Sequence, residues 1–113
     1  MIDEKKAIQN VIMNFYDAFY MSDRQLMFDY LDTKFKQAVG LNTFLNHSDY
    51  DIDVGLLQEI LCIDIQDIRH RAVVECVLDC ERAIKHHIIV LLKEDNHWKI
   101  SGKSIYMRKG SIR

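Results

Sequence analysis

The residue of this 113-residue chain best suited to acid–base chemistry is His87, which lies inside a long apolar run. A histidine partly removed from water can act as a general acid or base near neutral pH. If residues 95–96 form a two-residue hairpin turn, the register places Ser104 opposite His87, with both side chains facing inward. A shift of one residue would put His86 there instead. His87 is therefore the candidate catalytic residue, with Ser104 beside it in a candidate pocket.

A plain structural interpretation competes with this one, in which His87 is a core or interface histidine with a hydrogen-bond partner. An enzyme of the cyclase, dehydratase or isomerase type would need an acid beside it, and Glu75 and Asp64 are the candidates. On half-buried strands, acidic residues more often face solvent. Cys76 and Cys80 would share a strand face about 13 Å apart, too far to bind one metal ion. Neither a metal nor a cofactor is expected.

A second group of candidates is aromatic and lies within the first 30 residues of the chain. These side chains are core residues in one interpretation and the wall of a ligand pocket in the other. Tyrosine favours the pocket, because a buried phenol needs a polar partner that pocket walls supply. The candidate ligand-binding residues are Phe15, Tyr16, Phe19, Tyr30, His87 and Ser104.

Two helices must position the aromatic candidates. Apolar residues recur at three- and four-residue spacing near the N-terminus, which predicts a helix over residues 3–21 with Asp3 as its N-cap. The tetrapeptide that begins at Ser22 has the pattern of a capping box, in which Gln25 reaches back to the N-cap. A second helix is therefore predicted over residues 24–32.

The second half of the chain is rich in β-forming residues. Residues 33–57 are the least patterned stretch, with a helical turn or two expected at residues 42–47 and a loop at residues 48–51. From residue 58, four β-rich runs separated by short polar breaks predict an antiparallel meander. The runs are Ile60–Ile65, Ala72–Leu78, Ile84–Leu92 and Trp98–Met107. The fold class is therefore α+β, with N-terminal helices packed on a curved antiparallel sheet of four or more strands.

The last hairpin can be given a register. With a turn at residues 95–96, Lys93 faces Trp98 and Leu91 faces Ile100. The strand before this turn has apolar residues on both faces, whereas a sheet with one wet face should alternate. The second face is thus expected to be covered as well. A homodimer through the sheet is favoured over cover by the middle segment.

Composition sets the broad class. The chain is long enough for one domain over residues 1–113, and 49% of its residues are hydrophobic. A formal net charge of −2 argues against a nucleic-acid surface, and the basic cluster at residues 108–113 is expected to be solvated. No apolar run approaches the roughly 20 residues that span a bilayer, and no signal-peptide core is present. Three cysteines in apolar runs suit a reducing compartment, so a cytoplasmic location is expected.

Two blocks of sequence resemble the nuclear transport factor 2-like, or cystatin-like, cone-fold superfamily. The first is the helix–Ser22-Asp23–helix start. The second ends in Leu-Leu-Lys-Glu-Asp-Asn-His-Trp-Lys-Ile at residues 91–100, similar to the last hairpin of the lumazine-binding and polyketide-cyclase-like group. The resemblance implies a cone-shaped domain in which helix 1 and the concave sheet face line a pocket. Its members include isomerases, dehydratases, cyclases and transport factors, so fold does not decide function.

The catalytic positions of ketosteroid-isomerase-like members are empty in this chain. The tyrosine and the carboxylate base would fall at Phe15 and near Val39, and Tyr16 points about 100° away around the helix. The leading hypothesis is thus a homodimeric cone-fold domain that binds a small apolar or aromatic ligand without catalysis. One alternative is a small enzyme that uses His87. A second is a protein-interaction module that docks through its apolar sheet face.

Overall fold

Helices come first and strands second, as the residue pattern predicts. The computed structural model describes residues 3–47, 55–66, 68, 70–80 and 83–106, and in these ranges the chain is an α+β domain. The helices are α1 (Glu4–Tyr20), α2 (Arg24–Asp29), α3 (Thr33–Val39), α4 (Leu41–Asn46) and α5 (Gly102–Tyr106), and the strands are β1 (Leu56–Gln66), β2 (Arg71–Asp79), β3 (Ile84–Glu94) and β4 (His97–Ile100). None of the described helices is long and apolar enough to cross a membrane.

The first helix forms where its apolar spacing predicts. Asp3 is its N-cap, since the carboxylate accepts a hydrogen bond from the Lys6 amide at 3.3 Å. The capping box predicted at Ser22 is wrong by one residue. Ser22 has a φ of 60°, in the left-handed region, and the N-cap of α2 is Asp23, which accepts from the Leu26 amide at 3.1 Å.

The second helix is shorter than predicted, because its last residues pair with the sheet. The Tyr30 carbonyl accepts from the Ile100 amide at 2.8 Å, and the Asp32 amide donates to the Ile100 carbonyl at 2.9 Å. Asp32 is then the N-cap of α3 and accepts from the Phe35 amide at 3.2 Å. The helical turns expected at residues 42–47 are confirmed as α4, whereas the loop expected at residues 48–51 lies outside the described residues.

The sheet is the predicted antiparallel meander, with strand order β1-β2-β3-β4. The last hairpin has the predicted register, with Leu91 opposite Ile100 and Lys93 opposite Trp98. Its turn residues at positions 95 and 96 have φ values of 49° and 65°, which match the type I′ turn of a two-residue hairpin.

The fourth strand ends at Ile100, so the predicted strand to residue 107 is wrong. The chain turns into α5 because the Gly102 amide donates to the Asp32 carboxylate at 2.9 Å. A Cβ at this glycine would lie 2.2 Å from Cγ of Phe35, so only glycine fits against that ring. The predicted strand pairing of Ser104 with His87 is therefore wrong as well, although the two residues still meet.

The two faces of the sheet have different surroundings. The inner face shares one hydrophobic core with α1 and is buried at alternate β2 positions from Ala72 to Leu78. The outer face carries apolar residues in exposed positions, with Ile88 50% and Ile84 61% exposed. The described part of the middle segment does not cover it, because α3 and α4 pack against each other, α2 and α5.

Candidate functional site

The β2–β3 hairpin brings His87 to the inner face. His87 lies directly opposite Cys76, which is fully buried, and residues opposite each other in a sheet point to the same face. His86 is exposed and points the other way, where its Nδ1 lies 3.5 Å from the Glu75 carboxylate. The predicted choice of His87 over His86 therefore agrees with the observed strand register.

Beside His87 is a cavity of about 200 Å³ between α1, α5 and one end of the β2–β3 hairpin. We call it the histidine pocket; the lining includes Tyr16, Leu78, Cys80, Lys85, His86, His87 and Ile105. Two predicted site residues, Tyr16 and His87, thus lie on the same cavity. Lys85 reaches it from the same strand face as His87, two residues along β3.

A second cavity of about 260 Å³ lies on another side of Tyr16. We call it the tyrosine pocket; it is lined by Met13, Tyr16, Asp17, Tyr20, Leu56 and Leu57. Among the described lining residues, Tyr16 borders both cavities. Its ring packs edge-on against Phe15, with ring centroids 5.3 Å apart.

The Tyr16 hydroxyl is buried and has no hydrogen-bond partner within the described residues. Only 3% of the residue is exposed. Burial, assisted by the neighbouring Cys76 and Tyr106 groups, raises the pKa of the Tyr16 phenol well above its ordinary value. The phenol therefore keeps its proton and remains an unused donor. A buried donor left unsatisfied costs about 1–3 kcal/mol.

His87 has a defined tautomer. Its Nε2 lies 3.1 Å from the Ser104 carbonyl oxygen, which can only accept, so Nε2 carries the proton. Burial lowers the pKa of His87, and the Ser104 carbonyl opposes that change by favouring the protonated ring. In the neutral ring, Nδ1 is then the basic nitrogen.

Ser104 acts through its backbone, and its hydroxyl is already occupied. The hydroxyl donates to the Ser101 carbonyl at 2.7 Å and accepts from the Val90 amide at 3.2 Å. These two bonds fix the first turn of α5 against β3. They hold the Ser104 carbonyl next to His87, and the hydroxyl itself is not part of the pocket lining.

An enzyme of the cyclase, dehydratase or isomerase type would need a carboxylic acid beside His87. The described surroundings of His87 contain none. Glu75 and Asp64 lie on the outer face, where Asp64 accepts from the Gln66 side chain at 3.3 Å. No described group of three or more metal-ligating side chains could hold an ion. Cys76 is an unreactive thiol, because burial raises its pKa to about 11.

The other predicted pocket aromatics lie elsewhere in the fold. Phe15 is fully buried in the core, and Phe19 and Tyr30 are half-buried against it without lining either cavity. The prediction missed Lys85 and Ile105. Period-two alternation from His87 identifies Lys85 as its same-face neighbour, whereas Ile105 was assigned to a strand that is in fact α5.

Comparison with known proteins adds no identity. No family model, no curated protein and no solved structure matches this chain. The function of this chain therefore has to be inferred from its own residues and geometry.

Proposed function

We propose that this protein is a small-molecule-binding domain of the nuclear transport factor 2-like kind that performs no catalysis. The observation that carries the proposal is the Tyr16 hydroxyl, a buried donor without a partner among the described residues, on a side chain that borders two cavities of about 200 and 260 Å³. Folded proteins rarely leave such a group unpaired without a functional reason. A ligand that brings an acceptor would satisfy it.

Binding is favoured over catalysis by the surroundings of His87. The one assigned bond of its ring goes to a backbone carbonyl, which orients the ring but cannot exchange a proton with it. General acid–base enzymes of the cyclase or isomerase type pair such a residue with a carboxylate or a second acid. Within the described residues, that partner is missing from the histidine pocket.

Blocking the histidine pocket tests the proposal. Ile105→Trp places a large ring in the cavity, whereas Lys103→Trp adds the same ring at an exposed position of the same helix. With indole, benzamide and benzoate as probes in isothermal titration calorimetry, wild type and Lys103→Trp should bind at least one probe and Ile105→Trp none. Circular dichroism checks that both variants fold. The proposal fails if no probe binds, or if Ile105→Trp binds as wild type does.

The proposed assembly is a homodimer in which the outer faces of two sheets meet. Apolar side chains lie in the middle of this face, where Val73 is opposite Val90 and the neighbouring Ile88 is opposite Glu75. Exposed apolar surface of this kind is typical of interaction sites. The partner is proposed to be a second copy because the charges on the face are self-complementary.

The charges of the outer face are separated along the strands. Arg71 and Lys99 flank Leu92 at one end of the face, whereas Glu75 and Glu59 lie in the middle and toward the other end. A two-fold axis that lies between the two sheets, parallel to them and perpendicular to the strands, lays the basic row of each copy over the acidic rows of the other. Opposite charges then meet across the interface, which favours pairing with another copy of this chain.

Sedimentation analysis of the wild type and two variants tests the dimer. Ile88→Asp puts a charge in the centre of the outer face and should give a monomer, whereas Ile68→Asp, at a residue 97% exposed outside the strands, should leave the dimer intact. A monomeric wild type would overturn the dimer. In that case the apolar face would be assigned to a different protein partner.

A further inference from the structure

The polar groups that border the histidine pocket are donors or cations. Tyr16 offers its unused hydroxyl proton, Lys85 an ammonium group and His87 an imidazole that becomes a cation once protonated. None of the described lining residues is a carboxylate; Asp17 borders the tyrosine pocket instead. A molecule that fits this pocket therefore has to bring acceptors, and a negative charge is favoured.

The two cations lie close enough to share one small anion. Lys85 and His87 are two residues apart on β3, so their side chains leave the same face with Cα atoms about 7 Å apart. An ammonium and an imidazolium on either side of a carboxylate form charge-assisted hydrogen bonds, which are about twice as strong as neutral ones. His86, a third basic residue of the lining, leaves β3 on the opposite face and has the Glu75 carboxylate beside it.

The remaining wall of the pocket is apolar. Leu78 is 3% exposed at the end of β2, and Ile105 presents its side chain from α5. Aliphatic side chains of this kind cover the faces of a flat ring, as in most small-ligand sites. A ligand that fits this pocket therefore needs an apolar part that lies against the wall and an anionic part that lies beside the cations.

We infer that the histidine pocket binds a small aromatic carboxylate, whose ring lies against Leu78 and Ile105 and whose carboxylate is held by Lys85 and His87. This inference rests on the proposed function, because it names the ligand class of the same pocket. The Tyr16 hydroxyl is buried and has no partner among the described residues. A carboxylate oxygen of the ligand would satisfy this hydroxyl after a local movement of the lining side chains.

Binding of such an anion is coupled to a proton. In the empty pocket, burial lowers the pKa of His87, and a carboxylate beside the ring raises it again. The titratable and charged groups around the ring are the Lys85 ammonium, the His86 imidazole, the Tyr16 phenol and the Cys76 and Cys80 thiols, and the Ser104 carbonyl accepts a hydrogen bond from it. Because the anion prefers the protonated ring, affinity rises as the pH falls and levels off below the His87 pKa of the empty protein.

Benzoate and benzamide form a matched pair of probes, since they share shape and differ in charge. Calorimetry on the full chain should show benzoate binding at least about tenfold more tightly than benzamide. Lys85→Met should abolish this preference, whereas Lys103→Met, on an exposed position of α5, should keep it. Acetate, which lacks the ring, should bind more weakly than benzoate.

Two further variants test the other groups. Calorimetric titrations with benzoate, repeated in buffers of different ionisation enthalpy, should show that binding to the wild type is accompanied by proton uptake. Binding to His87→Gln should show no proton uptake. Tyr16→Phe should weaken benzoate about fivefold or more while the protein stays folded, as expected for one lost hydrogen bond. A merely structural tyrosine would leave affinity unchanged in a folded variant.

The outcomes separate this inference from the proposal on which it rests. If benzamide binds as tightly as benzoate, the pocket takes small molecules but the anion inference is overturned. If acetate equals benzoate, the aromatic part is overturned. If none of the aromatic probes binds the wild type, both the inference and the proposed function fail.

Discussion

The two ends of helix α1 differ in how their polar groups are satisfied. At the N-terminal end, which we call the anchored end, the Glu4 carboxylate accepts from Lys93 Nζ at 2.7 Å and from Trp98 Nε1 at 2.5 Å. About 18 Å along the helix, at what we call the open end, the Tyr16 hydroxyl has no described partner and borders two cavities. The hydrogen bonds at the anchored end thus stabilise the fold, whereas the hydroxyl at the open end is left to bind a ligand.

Polar groups in the elements next to the anchored end also have hydrogen-bond partners. Asp32 is 5% exposed, and its carboxylate accepts from the amides of Phe35 and Gly102, so it caps α3 and α5 together. Glu94 accepts from the Thr33 amide at 3.1 Å and from its hydroxyl at 2.7 Å. Substitutions near the anchored end should therefore destabilise the fold, whereas removal of the hydroxyl at the open end should not.

The largest loss is expected from Asp32→Ala. The change leaves the amides of Phe35 and Gly102 without their acceptor, and two hydrogen bonds to one buried carboxylate are together worth about 3 kcal/mol. Urea unfolding should show this loss as a lower midpoint with an unchanged slope. Asp29→Ala, at an exposed residue of α2, is the control and should change stability little. Equal midpoints for the two variants would contradict the assignment.

Gly102→Ala should cost less, about 2 kcal/mol, because the added Cβ would lie 2.2 Å from Cγ of Phe35. Thermal unfolding should show this loss of stability as a lower midpoint temperature. Lys103→Ala, the next residue on the same helix, is exposed and should leave stability nearly unchanged. Phe35→Leu combined with Gly102→Ala should lose less than the sum of the two single changes. Strict additivity would show that the phenyl ring is not the cause.

Tyr16→Phe should act in the opposite direction and stabilise the protein by about 1 kcal/mol, since it removes a buried donor that has no acceptor among the described residues. Tyr20→Phe is the control, because Tyr20 is 70% exposed and its hydroxyl meets water. Chemical denaturation of both variants without ligand checks the comparison. A destabilised Tyr16→Phe would mean that the hydroxyl has a partner in the folded protein.

The smallest effect concerns the acid sensitivity of the anchored end. Hydrogen bonds from Lys93 and then Trp98 lower the pKa of Glu4 below its ordinary value of 4.5. A carboxyl whose pKa is lower in the folded state stabilises the protein above the unfolded-state pKa, and this stability is lost as the pH falls through the folded-state value. Glu4→Gln should therefore flatten the acid limb of a stability–pH curve. An acid limb as steep in Glu4→Gln as in wild type would contradict this assignment.

Local sequence was enough for the elements whose signals lie within a few residues of each other. Asp3 and the apolar spacing after it determine α1, and the residues at positions 95 and 96 determine the last hairpin with its register. Capping bonds and two-residue turns are local interactions, so their residue types are visible in the chain. The α+β order and the inward face of His87 follow from such signals.

Contacts between residues distant in sequence determined α5 and the histidine pocket. Residues 101–106 have a β-like composition, yet the bond from the Gly102 amide to Asp32 and the close packing of that glycine on Phe35 turn them into α5. That helix supplies both the Ser104 carbonyl that orients His87 and the Ile105 wall of the histidine pocket. Long-range packing overrides local propensity, because buried polar groups must find partners wherever the fold places them. The chain alone therefore indicated which histidine faces inward, and only the tertiary structure assembled a pocket around it.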